Sequence, residues 1–438
     1  MASQRVFGMI VNERPVIADS LWTATANRRC ERPELHGSIR TDVAVIGAGF
    51  TGLSAALHLA EANVNVVVVD AQHPGWGASG RNGGQINVGL KDGPSDLKAR
   101  FGTIWGERMI RMAGGAADLV FDLIGRHNID CAALRPGWLR AAHTPKSLRD
   151  LHNLAADWDD HGGGMEPLDR AQMQQLTGTS AYHGGAIDRR GGNLHPMNYA
   201  LGLAEAAEHE GAEIYGNSPA ESITAQGTSY RVETPNGKIM ADKVVICTNA
   251  YSAGLNKPLA HSVLPVRSVQ VATAPLSDNI AKTILPDGNA LSDTRRLLLY
   301  FRKDSNGRFL MGGRGTYNDI STQKQIERLK RLSLDLFPQL KGVEWQHAWG
   351  GFVALTRDHY PHLHEISPGM IAGLGYNGRG VAIATAMGRV LARWAAGADA
   401  QDLEFPKTPL KPLPLAFARE FVVEAEIIRL RLLDKLGW

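Results

Sequence analysis

The sequence predicts an α/β protein in which a dinucleotide-binding domain, wound around a parallel sheet, is interleaved along the chain with a second domain built on its own sheet. Three observations predict it. Residues 42–71, DVAVIGAGFTGLSAALHLAEANVNVVVVDA, read as strand, glycine turn, helix and strand. Residues 369–397, GMIAGLGYNGRGVAIATAMGRVLARWAAG, repeat the strand, glycine turn and helix. Between them lie the strand-like runs LPVRSVQVATAP and RRLLLYFRKDSNGRFLMGGRG, followed by one helical stretch, STQKQIERLKRLSLDLFPQL.

Each element follows from its pattern. VNVVVVDA is a continuous β-branched run of the kind buried on both faces of a parallel sheet, and TGLSAALHLAEAN carries apolar residues at helical spacing. The pattern turns helical from about 95 to 180. A further helix begins at Pro196, where a proline is tolerated in the first turn, and KIMADKVVICTNAYSAGL is a strand ending in a small-residue turn. The expected division is an N-terminal arm at 1–40, a dinucleotide domain at 41–95, 181–262 and 356–400, a substrate domain at 96–180 and 263–355, and a C-terminal link and helix at 401–438. The arm, with Trp22 in DSLWTAT, is expected to pack on the surface rather than in a core. The last helix carries Phe421, Ile428 and Leu432 on one side.

At 438 residues, 44% of them hydrophobic, the chain exceeds the usual size of a single-core domain. Its 47 basic and 44 acidic residues are scattered, which disfavours a dedicated nucleic-acid surface. Cys30, Cys131 and Cys247 fit neither a disulfide framework nor a metal site. No stretch reads as a secretory signal or membrane span, so a soluble cytoplasmic protein of open oligomeric state is expected.

Gly47, Gly49 and Gly52 form a GxGxxG between strand and helix, and Asp70 ends the next strand where a carboxylate meets ribose hydroxyls. That is a dinucleotide site. The second glycine-rich segment, GASGRNGGQI at 77–86, points to FAD rather than NAD. An isoalloxazine ring lies against backbone free of side chains, which Gly83 and Gly84 suit, with Ser79, Arg81, Asn82 and Gln85 beside them. Gly375, Gly378, Arg379, Gly380 and Val381 make a third cofactor segment, whose helix N-terminus and unpaired N–H groups favour negative charge.

GAGFTG, SGRNGGQ, VVICTNAY, TRDHYP and GLGYNGRGV together resemble the D-amino-acid-oxidase-like flavoprotein family, which includes glycine and sarcosine oxidases, across about residues 41–400. Within it, GWGASGRNGGQI and RLLDKLGW look most like the branch that oxidises gamma-glutamylputrescine. The resemblance implies a Rossmann-type FAD-binding domain interleaved with an antiparallel-sheet α+β substrate domain, and oxidation of an amine C–N bond to an imine. It also implies a small-molecule amine substrate, with O2 or another electron acceptor. Covalent members attach the ring through a cysteine shortly before the TxD stretch; Trp349, Gly350 and Gly351 stand there, so noncovalent FAD is expected.

Tyr300, Arg302, Trp349 and Tyr376 are the candidate catalytic residues, with Arg379 a further candidate to face the ring. Arg302, Arg314 and Arg357 are candidate partners for a substrate carboxylate. His195 reads as a helix N-terminal contact rather than a base. His359, His362 and His364 match no metal-ligand spacing, and no metal is expected. A cyclic secondary amino acid such as pipecolate or proline is the rival substrate. An NAD-dependent dehydrogenase and a non-catalytic dinucleotide sensor stay open as other classes.

Overall fold

The computed structural model describes residues 20–27, 31–252, 254–315, 319–413 and 429. Its first sheet is built around β1 (Gly37–Ile46), with β2 (Val66–Val69) on one side and β11 (Gly237–Ile246) on the other, all parallel. The order is β17 (His362–Ser367), β18 (Met370–Leu374), β11, β1, β2 and β8 (Glu213–Tyr215). Strands β9 (Ser222–Gln226) and β10 (Ser229–Glu233) extend antiparallel from β11. All four valines of β2 are buried, as a strand covered on both faces requires.

Helix α1 (Leu21–Ala24) precedes this sheet, and α2 (Phe50–Glu61) crosses from β1 to β2. Helices α3 (Pro94–Gly114), α4 (Ala116–Arg126), α7 (Pro196–His209) and α11 (Gly380–Ala395) cover it with α2. Small residues let α2 and α11 approach closely. A Cβ on Gly388 would stand 2.5 Å from the Thr51 carbonyl oxygen, and Ser54 Oγ donates to Thr385 O at 2.8 Å.

The second sheet runs β16 (Trp345–Leu355), β12 (Leu264–Pro275), β15 (Arg308–Arg314), β14 (Leu299–Lys303), β13 (Ala290–Asp293), β4 (Trp138–Ala141), β6 (Gly185–Asp188) and β5 (Met165–Leu168). Only the β13–β4 pair is parallel. Val269, Val271, Phe301, Phe309 and Met311 form its far core with Leu329 of α10 (Asp319–Leu336) and Phe337. A two-residue ladder, β3 (Gln85–Ile86) with β7 (Gly192–Asn193), ties the second glycine segment to the chain before α7. Helices α5 (Pro145–Asp159), α6 (Arg170–Thr177), α8 (Lys257–His261) and α9 (Asp278–Ala281) complete the described α-helices.

The N-terminal arm is corrected. Leu21 and Trp22 are 0% and 1% exposed and share a core with Met197, Leu201, Ala272, Leu310 and Trp349, so these two side chains plug the space between α7 and the second sheet rather than dressing the surface. A four-residue helix capped by Ser20 carries no periodicity, which is why the sequence hid it. The first strand begins at Gly37, ahead of Thr41, and the stretch expected to be helical from 95 to 180 also contains β4 and β5. The expected final helix with Phe421, Ile428 and Leu432 lies outside the described residues, as does Cys30.

Candidate active site

The β1–α2 turn builds one wall of a cavity that opens to solvent. Gly47, with φ +104°, donates its N–H to Val69 O at 2.8 Å. A Cβ on Gly52 would lie 1.9 Å from Gly47 O, so this glycine serves the helix–strand contact. Asp70 Oδ2 accepts from Ala48 N at 2.7 Å and Oδ1 from Gln72 N at 2.8 Å. Burial raises its carboxyl pKa, while those N–H groups oppose the shift by favouring the charged form. Gly47, Gly49, Asp70, Ser79, Asn82 and Tyr376 all line this cavity. Ser79 caps α2, its Oγ accepting from Phe50 N at 2.9 Å.

The loop at 81–84 is held by its carbonyls. Arg81 O accepts from Gln270 Nε2 at 2.6 Å and Trp349 Nε1 at 3.0 Å, Asn82 O from Trp22 Nε1 at 2.8 Å, Gly83 O from Arg302 Nε at 2.6 Å, and Gly84 O from Leu194 N at 2.8 Å. Four consecutive carbonyls are thereby fixed from behind. The space a Cβ on Gly84 would need is filled by Leu194 O at 2.2 Å and Arg302 Nη2 at 2.5 Å, and on Gly83 by the Tyr300 ring at 2.8 Å. These glycines are therefore required by contacts inside the protein. Arg81 itself lies over the Trp76 ring at 4.7 Å, and Gln85 Oε1 accepts from Ser292 Oγ at 2.8 Å.

The 375–381 turn differs. Gly375 N donates to Asn249 Oδ1 at 2.9 Å, and a Cβ on Gly378 or Gly380 would meet nothing within 4 Å. Both face the first cavity and a second chamber, and Asn82 also lines both. The two spaces thus meet between loop 81–84 and the start of α11. Val381 lines the second chamber. Arg379 is in the lining of neither space; its Nη1 donates to Val88 O at 3.1 Å.

The second chamber is walled by the second sheet. Ser268, Gln270, Ser292 and Tyr300 line it with Arg81, Arg267 and Arg314, and no Asp, Glu or His lines it among the described residues. Tyr300 Oη and Ser268 Oγ are 2.8 Å apart, and burial pushes the phenol up to about 12. Sequence reading missed Arg267, Ser268, Gln270, Ser292 and Asn87. Ser268 and Gln270 had a signal: polar residues two apart in an apolar strand share one face.

The candidate catalytic residues separate. Tyr300 faces the second chamber and Tyr376 the first, its hydroxyl accepting from Thr51 Oγ1 at 2.7 Å. Arg302 and Trp349 line neither; both stand behind the loop. Arg302 is 3% exposed, and besides Gly83 O it binds Leu194 O at 2.7 Å, Lys303 O at 3.1 Å and Asn193 Oδ1 at 3.1 Å. Arg314 is in the chamber wall, whereas Arg357 is exposed and lines neither cavity. His195 is the N-cap of α7, its Nδ1 accepting from Asn198 N at 3.1 Å. His362 meets Asp358 at 3.0 Å and His364 the Thr408 carbonyl at 2.8 Å.

This geometry agrees with comparison to known proteins. Residues 42–394 match the family model for FAD dependent oxidoreductases, and the chain belongs to that family. It is 36% identical over 380 residues to a probable oxidoreductase OrdL of Rhizobium meliloti, covering 86% of this chain and 88% of the relative. It is 33% identical over 399 residues to the gamma-glutamylputrescine oxidoreductase of Escherichia coli, covering 90% and 93%. Among solved structures, glycine oxidase of Geobacillus kaustophilus superposes with a TM-score of 0.69 at 21% identity, over 82% of this chain and 96% of that one. L-proline dehydrogenase of P. horikoshii gives 0.72 at 18%, over 85% and 96%.

FAD is therefore the cofactor, and the protein is an enzyme of the amine and amino-acid oxidoreductase class. The residues present fit the group. The cavity is lined by the start of a helix at Gly49–Thr51, by the Asp70 carboxylate and by the 375–381 turn, whose Gly378 and Gly380 leave open space. No helix among the described residues is long and apolar enough to cross a membrane.

Proposed function

We propose that the protein oxidises the C–N bond of an amine on a gamma-glutamyl-type chain to an imine, with noncovalent FAD. Gly47, Gly49, Gly52, Asp70 and Ser79 would hold the dinucleotide, and the loop and turn at 81–85 and 375–381 the ring, with the first sheet as FAD domain and the second as substrate domain. The observation that carries the reading is the second chamber: it joins the first at Asn82, Gly378 and Gly380, and the charged side chains in its lining, among the described residues, are Arg81, Arg267 and Arg314. Such a chamber repels a free diamine and accepts an amine that also bears a carboxylate. The E. coli relative is named for a substrate of that kind.

FAD, when bound, supplies the acceptor for the hydrogen on the carbon beside the nitrogen. The protein's part is placement and charge. With Arg81, Arg267 and Arg314 around it, a bound amine is favoured in its neutral form. Tyr300, neutral across the physiological range, offers a hydrogen bond rather than a base. Among the described residues, no carboxylate or imidazole lines the chamber to take up a proton from the amine.

Anaerobic mixing with gamma-glutamylputrescine, putrescine, sarcosine, pipecolate and proline, followed by flavin absorbance, tests the reading. Bleaching fastest with gamma-glutamylputrescine supports it. Bleaching by pipecolate or proline alone would move the assignment to a cyclic amino acid, for which an arginine-lined chamber is also suited. Admitting air then separates oxidase from dehydrogenase.

A further inference from the structure

One row of register partners crosses the second sheet: Gln270 with Gly312, Gly312 with Tyr300, Tyr300 with Ser292, and Ser292 with Arg140. Direct partners on neighbouring strands project to the same face. Gln270, Tyr300 and Ser292 are chamber wall, and Arg140, outside that lining, stands on the same face one strand beyond Ser292. Two strand spacings, roughly 10 Å, separate it from Tyr300.

Arg379 comes from the opposite side, next to Gly378 of the turn that faces both spaces. The two guanidiniums meet at one indole. Arg140 Cζ lies 5.5 Å and Arg379 Cζ 5.8 Å from the Trp138 ring centroid, and Trp138 Nε1 donates to Ser292 Oγ at 3.3 Å. Both arginines are half-buried. Among the described residues, Arg140 makes no hydrogen bond or ion pair, and Arg379 makes only the bond to Val88 O. Asp188, the carboxylate that acts on Arg140, is paired with Arg190 at 2.8 Å, and Asp92, which acts on Arg379, receives the Tyr360 hydroxyl.

Burial lowers Arg140 to about 10 and, with Arg140's own charge adding, Arg379 to about 9. Two half-buried cations on one ring without a paired counter-ion repel each other and leave donors unused, and an anion between them relieves both costs.

We propose that Arg140 and Arg379 form an anion subsite at the end of the substrate chamber, taking a carboxylate that the substrate carries roughly 10 Å along the sheet from Tyr300. The proposal rests on the amine reading above and adds where the acid end of the substrate lies.

Two measurements on the flavin-containing protein test it. Dissociation constants for gamma-glutamylputrescine and N-acetylputrescine, which share the amine and amide but not the carboxylate, are read anaerobically from the concentration dependence of the flavin-bleaching rate. Wild type is expected to prefer the former, and Arg140→Met to lose about tenfold or more of that preference at unchanged flavin content. An unchanged preference, or equal weakening of both ligands, would overturn the proposal. Glutarate, a simple dicarboxylate, is the second probe and needs no turnover. It should raise the Tm of wild type and not of Arg140→Met. Absence of that difference counts against the arginine pair even if no amine reduces the flavin, whereas its presence with no reducing amine would count against the amine reading alone.

Discussion

Trp22 Nε1 donates to the carbonyl of Asn82 at 2.8 Å, so a residue outside the matched family region holds the loop that separates the two cavities. The same indole lies 4.9 Å from the Arg302 guanidinium and 4.9 Å from the His195 ring. Trp22→Phe keeps the packing and removes the donor, leaving a carbonyl without its partner at a cost of about 1–3 kcal/mol. Flavin is expected to dissociate several-fold more readily, measured by fluorescence on dilution. An unchanged flavin Kd would show the loop to be held without it.

Arg302→Met should act on folding before it acts on substrate. The buried guanidinium serves three backbone carbonyls and an amide, and removing it orphans them, for a loss of about 3–5 kcal/mol in urea unfolding. A stable variant whose KM alone rises would instead identify a substrate contact.

Two glycine substitutions should have opposite signatures. Gly84→Ala meets Leu194 O and Arg302 and forces an alanine to φ +66°, so the apoprotein loses stability. Gly380→Val points into open space between the two cavities, so the apoprotein keeps its Tm and loses flavin affinity. Thermal unfolding with and without FAD reads both.

His195 makes stability pH-dependent. Burial, with the Arg302 charge adding, lowers its pKa from 6.5 to about 4. Between those values the unfolded chain binds more protons than the folded one, so stability rises with pH through this window and is lost as pH falls from 6.5 towards 4. The full contribution is about 3 kcal/mol. His195→Asn, which keeps a capping oxygen, should flatten the stability profile in that range.

Denaturation should release all the flavin. Cys247 lines the first cavity, but burial pushes its thiol up, and burial pushes Cys131 up to about 12; neither offers a thiolate near neutrality. Acid precipitation is expected to leave the yellow colour in the supernatant. Flavin in the pellet would contradict noncovalent attachment.

The parallel sheet and its glycine turns were legible because their signals are local. Four consecutive valines, a GxGxxG and Asp70 lie within one short stretch, and a helix N-terminus binds an anion wherever it is placed. The His195 cap was legible for the same reason, since capping reaches only three residues. Arg302 was not. Strand alternation gives a side chain a face but not a destination, and only the packing of loop 81–84 against β14 directs this guanidinium to carbonyls instead of the chamber.

Sequence alone carried the α/β fold class, the strand–glycine turn–helix segments and the second, separate sheet, each set by residues close together in the chain. The tertiary structure alone decided that Trp22 belongs to the core, that Gly84 is required by Leu194 and Arg302, and that Arg140 stands in line with Tyr300. Those relationships join residues far apart in sequence, and they exist only once hydrophobic burial has fixed which surfaces meet.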